Sequence, residues 1–172
     1  MHHIIKRIGW LIGLMLAITL IASCAHKTQA KDINSTAIGP EDGVWSGRIS
    51  LQLQSEPPQA FFAGFELKGK ADKGELTLIS PLGNILGIMR WTPTQALLEQ
   101  GGSIKSFVST DELLAQTTGA AVPVAALFDW LAGKNTQTAG WTADLSQQPS
   151  GRINAKRIAP APQADLRVVL DK

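Results

Sequence analysis

The chain of 172 residues is long enough for one domain with a full hydrophobic core. Its 16 basic and 14 acidic residues are scattered, which argues against a nucleic-acid partner. After residue 23 the sequence holds one cysteine, Cys24, one histidine, His26, and no tyrosine. These counts exclude a His/Cys zinc site and leave no histidine for a Ser–His pair in the folded part, so we expect no metal, no cofactor and no enzyme. Glu66 and Glu75 are the nearest candidates for paired carboxylates, but solvated strand faces explain them better.

Residues 1–23 have the pattern of a secretory signal peptide. Residues 1–7 are short and basic, and residues 8–22 are almost wholly apolar. That apolar run is shorter than the roughly 20 residues of a comfortable membrane-spanning helix. Two of the basic residues, Lys6 and Arg7, belong to this segment, so the chain after it is formally neutral.

The apolar run ends in Leu20-Ile21-Ala22-Ser23-Cys24, which resembles the bacterial lipoprotein signal. This resemblance predicts cleavage before Cys24 and a covalent diacylglycerol and N-acyl chain on that residue. As the sole cysteine, Cys24 would otherwise be an unpaired thiol in an oxidising compartment. The alternative is an ordinary secretory signal followed by a chance cysteine. Ala25 permits export to the outer membrane, because Asp at that position would retain a lipoprotein at the inner membrane.

The rest of the chain divides into a polar tether over 24–42 and one folded domain over 43–172. From Val44 the hydrophobic period becomes two, which is typical of a strand that is solvated on one face. Six short strands are expected before residue 109, separated by turn-forming residues, over 44–54, 61–68, 75–80, 85–91, 96–99 and 104–108. Their regular spacing predicts an antiparallel meander that curls toward a barrel, and strand patterns resume over 141–145, 152–158 and 165–171.

The third and fourth strands form a hairpin whose connection, residues 80–84, reads SPLGN. Leu82 lies at its tip, where turns normally carry polar side chains. On the residues alone, folding back onto the sheet edge and pointing outward are both open for Leu82.

Two short helices are expected between the sixth and seventh strands. Ser109 and Glu112 fit a capping box for a helix over 110–118, which stops at Gly119. In the second helix Pro123 suits the first helical position and Gly133 the stop. Its apolar stripe holds Val124, Leu127, Phe128 and Leu131, with Trp130 at the stripe's edge. These helices need the concave face of the sheet to complete a core.

A curved sheet with helices across its mouth can enclose an apolar cavity. Core filling is the default for any single tryptophan. We expect the cavity to be lined by inward-facing residues of the sheet and of the second helix: Trp45, Ile49, Phe61, Phe65, Met89, Trp91, Val124, Leu127, Phe128, Leu131 and Trp141.

Several segments together resemble the outer-membrane lipoprotein receptor LolB family. They are the lipobox with Cys24, the opening Trp45-Ser46-Gly47-Arg48, the run 76–83 (LTLISPLG), the helix pair with Thr118-Gly119, Val122-Pro123-Val124 and 127–133 (LFDWLAG), and the closing strand 165–171. The resemblance covers nearly the whole chain. Ala121 stands where many members have a first Pro or another apolar residue, and the segment 146–152 is shorter than in some members.

The resemblance implies a mainly β fold with short helices: a half-open, strongly curved antiparallel sheet, or incomplete barrel, whose concave apolar side the helices close. It also implies a lipid-anchored receptor on the periplasmic face of the outer membrane. Such a receptor accepts acylated lipoproteins from the periplasmic carrier LolA and inserts them into the inner leaflet. In the family the Leu of the Pro-Leu-Gly turn protrudes and is needed for insertion; that turn maps onto Pro81, Leu82 and Gly83.

The implied partners are LolA, lipoprotein cargo and outer-membrane phospholipid, and we expect a monomer. The physics suits this function, because each acyl methylene exposed to water costs about 0.8 kcal/mol. The alternative is a structural envelope lipoprotein that scaffolds a protein complex, with Leu82 as a protein contact.

Overall fold

A computed structural model describes residues 42–172, so the predicted signal peptide, Cys24 and nearly all of the tether lie outside the described residues. The described part contains nine strands, two α-helices and one short 3-10 helix. In chain order they are β1 Gly43–Gln54, β2 Gln59–Lys70, β3 Lys73–Ile79, β4 Ile85–Thr92, β5 Gln95–Gln100, β6 Ser103–Phe107, α1 Thr110–Thr118, α2 Val124–Leu131, β7 Trp141–Asp144, the 3-10 helix Gln148–Ser150, β8 Arg152–Arg157 and β9 Gln163–Leu170.

The nine strands form one antiparallel sheet in the order β6-β5-β4-β3-β2-β1-β9-β8-β7. Strand β1 pairs with both β2 and the last strand, β9: Ile49 is opposite Ala63 of β2 and Val168 of β9. The edge strands β6 and β7 are not paired with each other, so the barrel is open. This architecture confirms the predicted incomplete antiparallel barrel with short helices.

The segment that joins the two edge strands contains both helices, and it lies on the inner face of the sheet. Helix α1 contacts β5 and β6. Its N-terminus is capped as predicted, since the Glu112 amide donates to Ser109 Oγ at 3.1 Å and the Val108 amide donates to Glu112 Oε2 at 3.0 Å. Gly119, with φ +68°, ends the helix in the left-handed conformation that glycine adopts without strain.

Helix α2 begins one residue later than the sequence indicates. Pro123 is the N-cap rather than the first helical residue, because its ψ of 102° keeps it extended. The Pro123 carbonyl accepts a hydrogen bond from the Leu127 amide at 2.9 Å, which is the first hydrogen bond of the helix. At the N-cap and at the first helical position the backbone N–H has no partner within the helix. Proline lacks this N–H and suits both positions, so the sequence pattern cannot distinguish them.

Trp130 is fully buried, whereas the helical pattern places it at the edge of the apolar stripe. The segment after α2 turns back over this side of the helix, and the Trp130 indole N–H donates to the Thr136 carbonyl at 3.0 Å. Trp141 lies against it, with ring centroids 6.3 Å apart. Helix α2 is therefore buried on two sides, which a single stripe in the sequence does not reveal.

The hairpin connections define two ends of the sheet. The connections after β1, β3 and β5, residues 55–58, 80–84 and 101–102, lie at one end, which we call the Leu82 end. The chain enters β1 at the opposite end, at Gly43. Residues 43–172 contain the sheet, both helices and a shared core, so this part has the contents of an independent folding unit.

Candidate functional site

The connection between β3 and β4 is a tight, internally bonded turn that presents Leu82. The Gly83 amide donates to the Ser80 carbonyl at 2.9 Å, and the Asn84 amide donates to Ser80 Oγ at 3.1 Å. Gly83 has a φ of +85°, which only glycine adopts readily. The Leu82 side chain is 88% exposed, so it does not fold back onto the sheet edge.

An open cavity of about 490 Å³ lies between the inner face of the sheet and the C-terminal end of α1. Several of its lining residues lie at the Leu82 end of their strands: Gln59 is the first residue of β2, Leu86 the second of β4 and Gln100 the last of β5. The cavity thus lies next to the turn that presents Leu82. The lining residues are Leu51, Leu53, Gln59, Ala60, Phe61, Leu78, Leu86, Gly87, Met89, Leu98, Gln100, Lys105, Phe107, Gln116, Thr117 and Thr118.

A smaller apolar cavity of about 70 Å³ lies deeper, between the two helices and the sheet. Thr118 and inner-face residues of the sheet line both cavities, so the two are neighbours. Together they leave an unfilled, mainly apolar space under the helices. Among the residues that line them there is no carboxylate and no imidazole; the only charged side chain is that of Lys105, which is exposed at the rim.

Seven of the eleven residues predicted for the cavity line one or both of these spaces. Phe61 and Met89 line both. Five line only the smaller cavity: Ile49, Trp91, Val124, Leu127 and Phe128.

The other four predicted residues line neither space. Phe65 is buried in the core of the sheet, and Trp45 packs edge-on against Phe128 at 5.5 Å. Leu131 and Trp141 are buried on the far side of α2, where the Trp141 indole N–H donates to the Ala121 carbonyl at 3.1 Å. These four residues therefore pack in or against the structural core and do not line a cavity.

Several residues of the larger cavity were not predicted from the sequence. Leu53, Leu78 and Leu98 continue the inward-facing alternation of β1, β3 and β5, so the same period would have found them. Leu86 could not be found in this way. The β3–β4 register shifts at Leu78/Ile79, and the resulting bulge turns Leu86 inward.

Glu66 and Glu75, the two candidates for paired carboxylates, are each engaged with a cation on the outer face of the sheet. Glu66 Oε2 lies 3.7 Å from Lys68 Nζ, and Glu75 Oε2 lies 2.7 Å from Arg90 Nε. Burial alone lowers the pKa of Arg90, but hydrogen bonds to Glu99 and Glu75 outweigh it and raise that pKa. These carboxylates therefore neutralise cations outside the cavity rather than face each other.

Residues 42–172 have neither a metal-binding cluster nor a helix that could cross a membrane. No group of three or more His, Cys, Asp or Glu side chains in this range is placed to hold a metal ion. No helix in the same range has both the length and the apolar content needed to cross a membrane.

The fold and the site define a class of protein: an open β-barrel in which two helices cover an apolar interior, with a hydrophobic turn beside its opening. The family described as "Outer membrane lipoprotein LolB" matches residues 44–159, about two-thirds of the chain. The chain belongs to this family.

Curated relatives agree with this assignment. A protein of Cupriavidus necator named outer-membrane lipoprotein LolB is 31% identical, over 88% of this chain and 90% of its own. Proteins of the same name are 26% identical in Bordetella petrii, over 95% of this chain and 92% of theirs, and 27% identical in Shewanella woodyi, over 87% and 71%.

Proposed function

We propose that this protein is an outer-membrane receptor that accepts acylated lipoproteins from the periplasmic carrier LolA and inserts them into the inner leaflet of the outer membrane. The observation that carries this proposal is the cavity of about 490 Å³, lined mainly by apolar side chains, next to the turn that presents Leu82. Membership of the family and the names of the relatives support the outer-membrane location.

The cavity has the size and chemistry that an acyl chain needs. Its volume lies within the range of about 300–1,000 Å³ that is common for small-molecule sites. Burial of ten methylenes would contribute about 8 kcal/mol, because each is worth about 0.8 kcal/mol. Leu51, Phe61 and Met89 offer carbon without a titratable group, so the site can hold and release a chain without chemistry. The same interior gives no support to catalysis, and we propose no enzymatic activity.

Leu82 supplies the step at the membrane. The Leu82 side chain is 88% exposed, so it can enter a membrane without breaking packing contacts within the protein. Full burial of a leucine side chain in a bilayer contributes about 1.5–3 kcal/mol, which favours the orientation that brings the cavity mouth toward the acyl region. The diacylglycerol and N-acyl chain proposed on Cys24 keep the receptor at its membrane. We propose that it acts as a monomer.

A cavity-filling substitution tests acyl binding directly. Leu86→Trp places the largest side chain in the cavity, while Ile88→Trp, two residues along the same strand, adds the same ring to the outer face. Displacement of a fluorescent fatty acid by an acylated peptide measures binding. We expect at least tenfold weaker binding for Leu86→Trp and a change below threefold for Ile88→Trp. Wild-type protein that binds no apolar ligand would overturn the proposal and favour a scaffold.

A further inference from the structure

A single cross-strand row on the outer face of the sheet joins a basic half to an apolar half. Residues directly opposite each other in the ladder follow one another from β8 to β4. The row reads Arg152, Val169, Arg48, Gly64, Ile79 and Ile85. Neighbouring strands are about 4.8 Å apart, so the row spans roughly 24 Å.

The next row toward the Leu82 end repeats this division. Arg167 of β9 is opposite Ser50 of β1, which is opposite Phe62 of β2. Phe62 and Ile85 are 57% and 63% exposed, although both are large apolar side chains. Phe62, Ile79, Ile85 and Leu82 therefore form the apolar half, which ends at the protruding turn.

The basic half consists of Arg48, Arg152 and Arg167, all of them exposed. Arg48 and Arg152 are the two cross-strand neighbours of Val169, and Arg167 lies two residues before it on the same strand. Among the described residues, none of these three guanidinium groups is in an ion pair. Three arginines without an ion pair in the described part of the chain lie around Val169, and such a cluster suits phosphate because Arg matches phosphate geometry.

The acidic residues closest to these two rows lie on neighbouring rows and are already engaged. Glu66 faces Lys68 at 3.7 Å, and Asp165 faces Lys156 at 3.7 Å. Asp171 accepts a hydrogen bond from Ser46 at 3.0 Å. The two rows themselves carry three positive charges and no negative one.

We propose that this outer face, the Arg48–Arg152–Arg167 half together with the Leu82–Ile85–Phe62 half, binds the surface of an anionic phospholipid bilayer. Guanidinium groups meet the lipid phosphates, and the apolar side chains enter the interface beside them. This inference rests on the proposed function, since it assigns the surface on which the receptor lies during insertion.

The point at which the chain enters the sheet favours a membrane over a protein partner. The segment 25–42 joins the proposed anchor at Cys24 to Gly43, at the end of β1 opposite Leu82. Its 18 residues can span at most about 60 Å, and β1 is about 40 Å long. Because this reach exceeds the length of β1, the segment allows Leu82 to reach the bilayer that holds the anchor. A domain that lies on its outer face brings Leu82 and the arginines to the same membrane as the anchor.

The experiment compares two triple variants with the same change in net charge, in the chain from residue 25 onward, which carries no acyl group. Arg48→Gln/Arg152→Gln/Arg167→Gln removes the basic half. Lys70→Gln/Lys73→Gln/Lys134→Gln removes three cations that lie elsewhere. Binding is measured by co-sedimentation with vesicles of phosphatidylethanolamine and phosphatidylglycerol at 3:1, and with phosphatidylcholine vesicles. Circular dichroism establishes that each variant is folded.

We expect the arginine variant to bind the anionic vesicles about 100-fold more weakly, since each basic residue near an anionic surface contributes about fivefold. The lysine variant should change by less than threefold. Raising the salt from about 0.1 M to 1 M should weaken wild-type binding, because the Debye length falls from about 10 Å to 3 Å.

Equal losses in the two variants, or no loss in the arginine variant, would overturn the proposal. So would an arginine variant that binds vesicles normally but no longer takes cargo from the carrier, which would assign the surface to a protein. Fatty-acid displacement in the same variants separates this inference from the proposed function. Normal acyl binding with lost vesicle binding supports the inference, whereas failure of acyl binding in the wild type refutes the proposed function alone.

Discussion

Replacement of Leu82 by Glu isolates the membrane step from the rest of the protein. The side chain is 88% exposed at the tip of a turn held by backbone and Ser80 hydrogen bonds, none of which involves the leucine side chain. We therefore expect the free energy of unfolding to change by less than about 0.5 kcal/mol. The mutation removes the 1.5–3 kcal/mol that a buried leucine contributes and adds the cost of a carboxylate in the interface.

That loss predicts transfer to vesicles at least 10- to 100-fold slower, since about 1.4 kcal/mol corresponds to a factor of ten. The assay loads the protein with a fluorescent acylated peptide, measures the loading, and then follows release into added vesicles. Val108→Glu is the control, because Val108 is 81% exposed in the connection between β6 and α1, at the opposite end of the sheet. If Leu82→Glu delivered cargo at the wild-type rate, or lost loading as well as delivery, the reasoning would be refuted.

Two further predictions concern the anchor and the core. Cys24→Ala should move the protein from the membrane to the soluble fraction with its melting temperature unchanged, because residues 43–172 contain the sheet, the helices and their shared core. A membrane-bound product would contradict lipidation as the anchor. Trp130→Leu should lower the free energy of unfolding, measured by denaturant titration, by about 3 kcal/mol. The substitution opens a void in the core, and it removes the indole N–H that donates to the Thr136 carbonyl at 3.0 Å. The comparison variant Trp45→Leu should lower the free energy of unfolding by only about 1 kcal/mol, because Trp45 is half-buried and packs on Phe128. Equal losses of stability in the two variants would contradict the larger contribution of Trp130 to the core.

The strands and the first helix could be predicted because their signals are local. Alternation from Trp45 to Leu53 follows directly from a sheet that is buried on one face. The Ser109–Glu112 capping box likewise depends only on residues three positions apart. Each signal is complete within one element, and the structure confirms it.

The parts that could not be predicted depend on pairs of elements distant in sequence. The pairing of β1 with β9 brings Arg48 and Arg152 to the two sides of Val169, and no pattern within either strand indicates this. The inward turn of Leu86 follows from a bulge at the β3–β4 register shift. The burial of Trp130 follows from a segment that returns over α2. The larger cavity, the basic surface and the core tryptophan are therefore tertiary features.

The position of Leu82 is an intermediate case. The turn residues Pro81 and Gly83 predicted a hairpin connection, but the residues alone left two directions for the leucine. The hydrogen bonds of Ser80 and the positive φ of Gly83 fix the outward direction in the structure. Its role at the membrane stays a prediction that the Leu82→Glu assay tests.

A crystal structure of the protein with a bound acylated peptide tests the central claim most directly. The account predicts that the acyl chain lies in the larger cavity, in contact with Leu51, Phe61 and Met89, with its peptide leaving at the Leu82 end. An acyl chain bound on the outer face, with the cavity collapsed or unchanged, would contradict it.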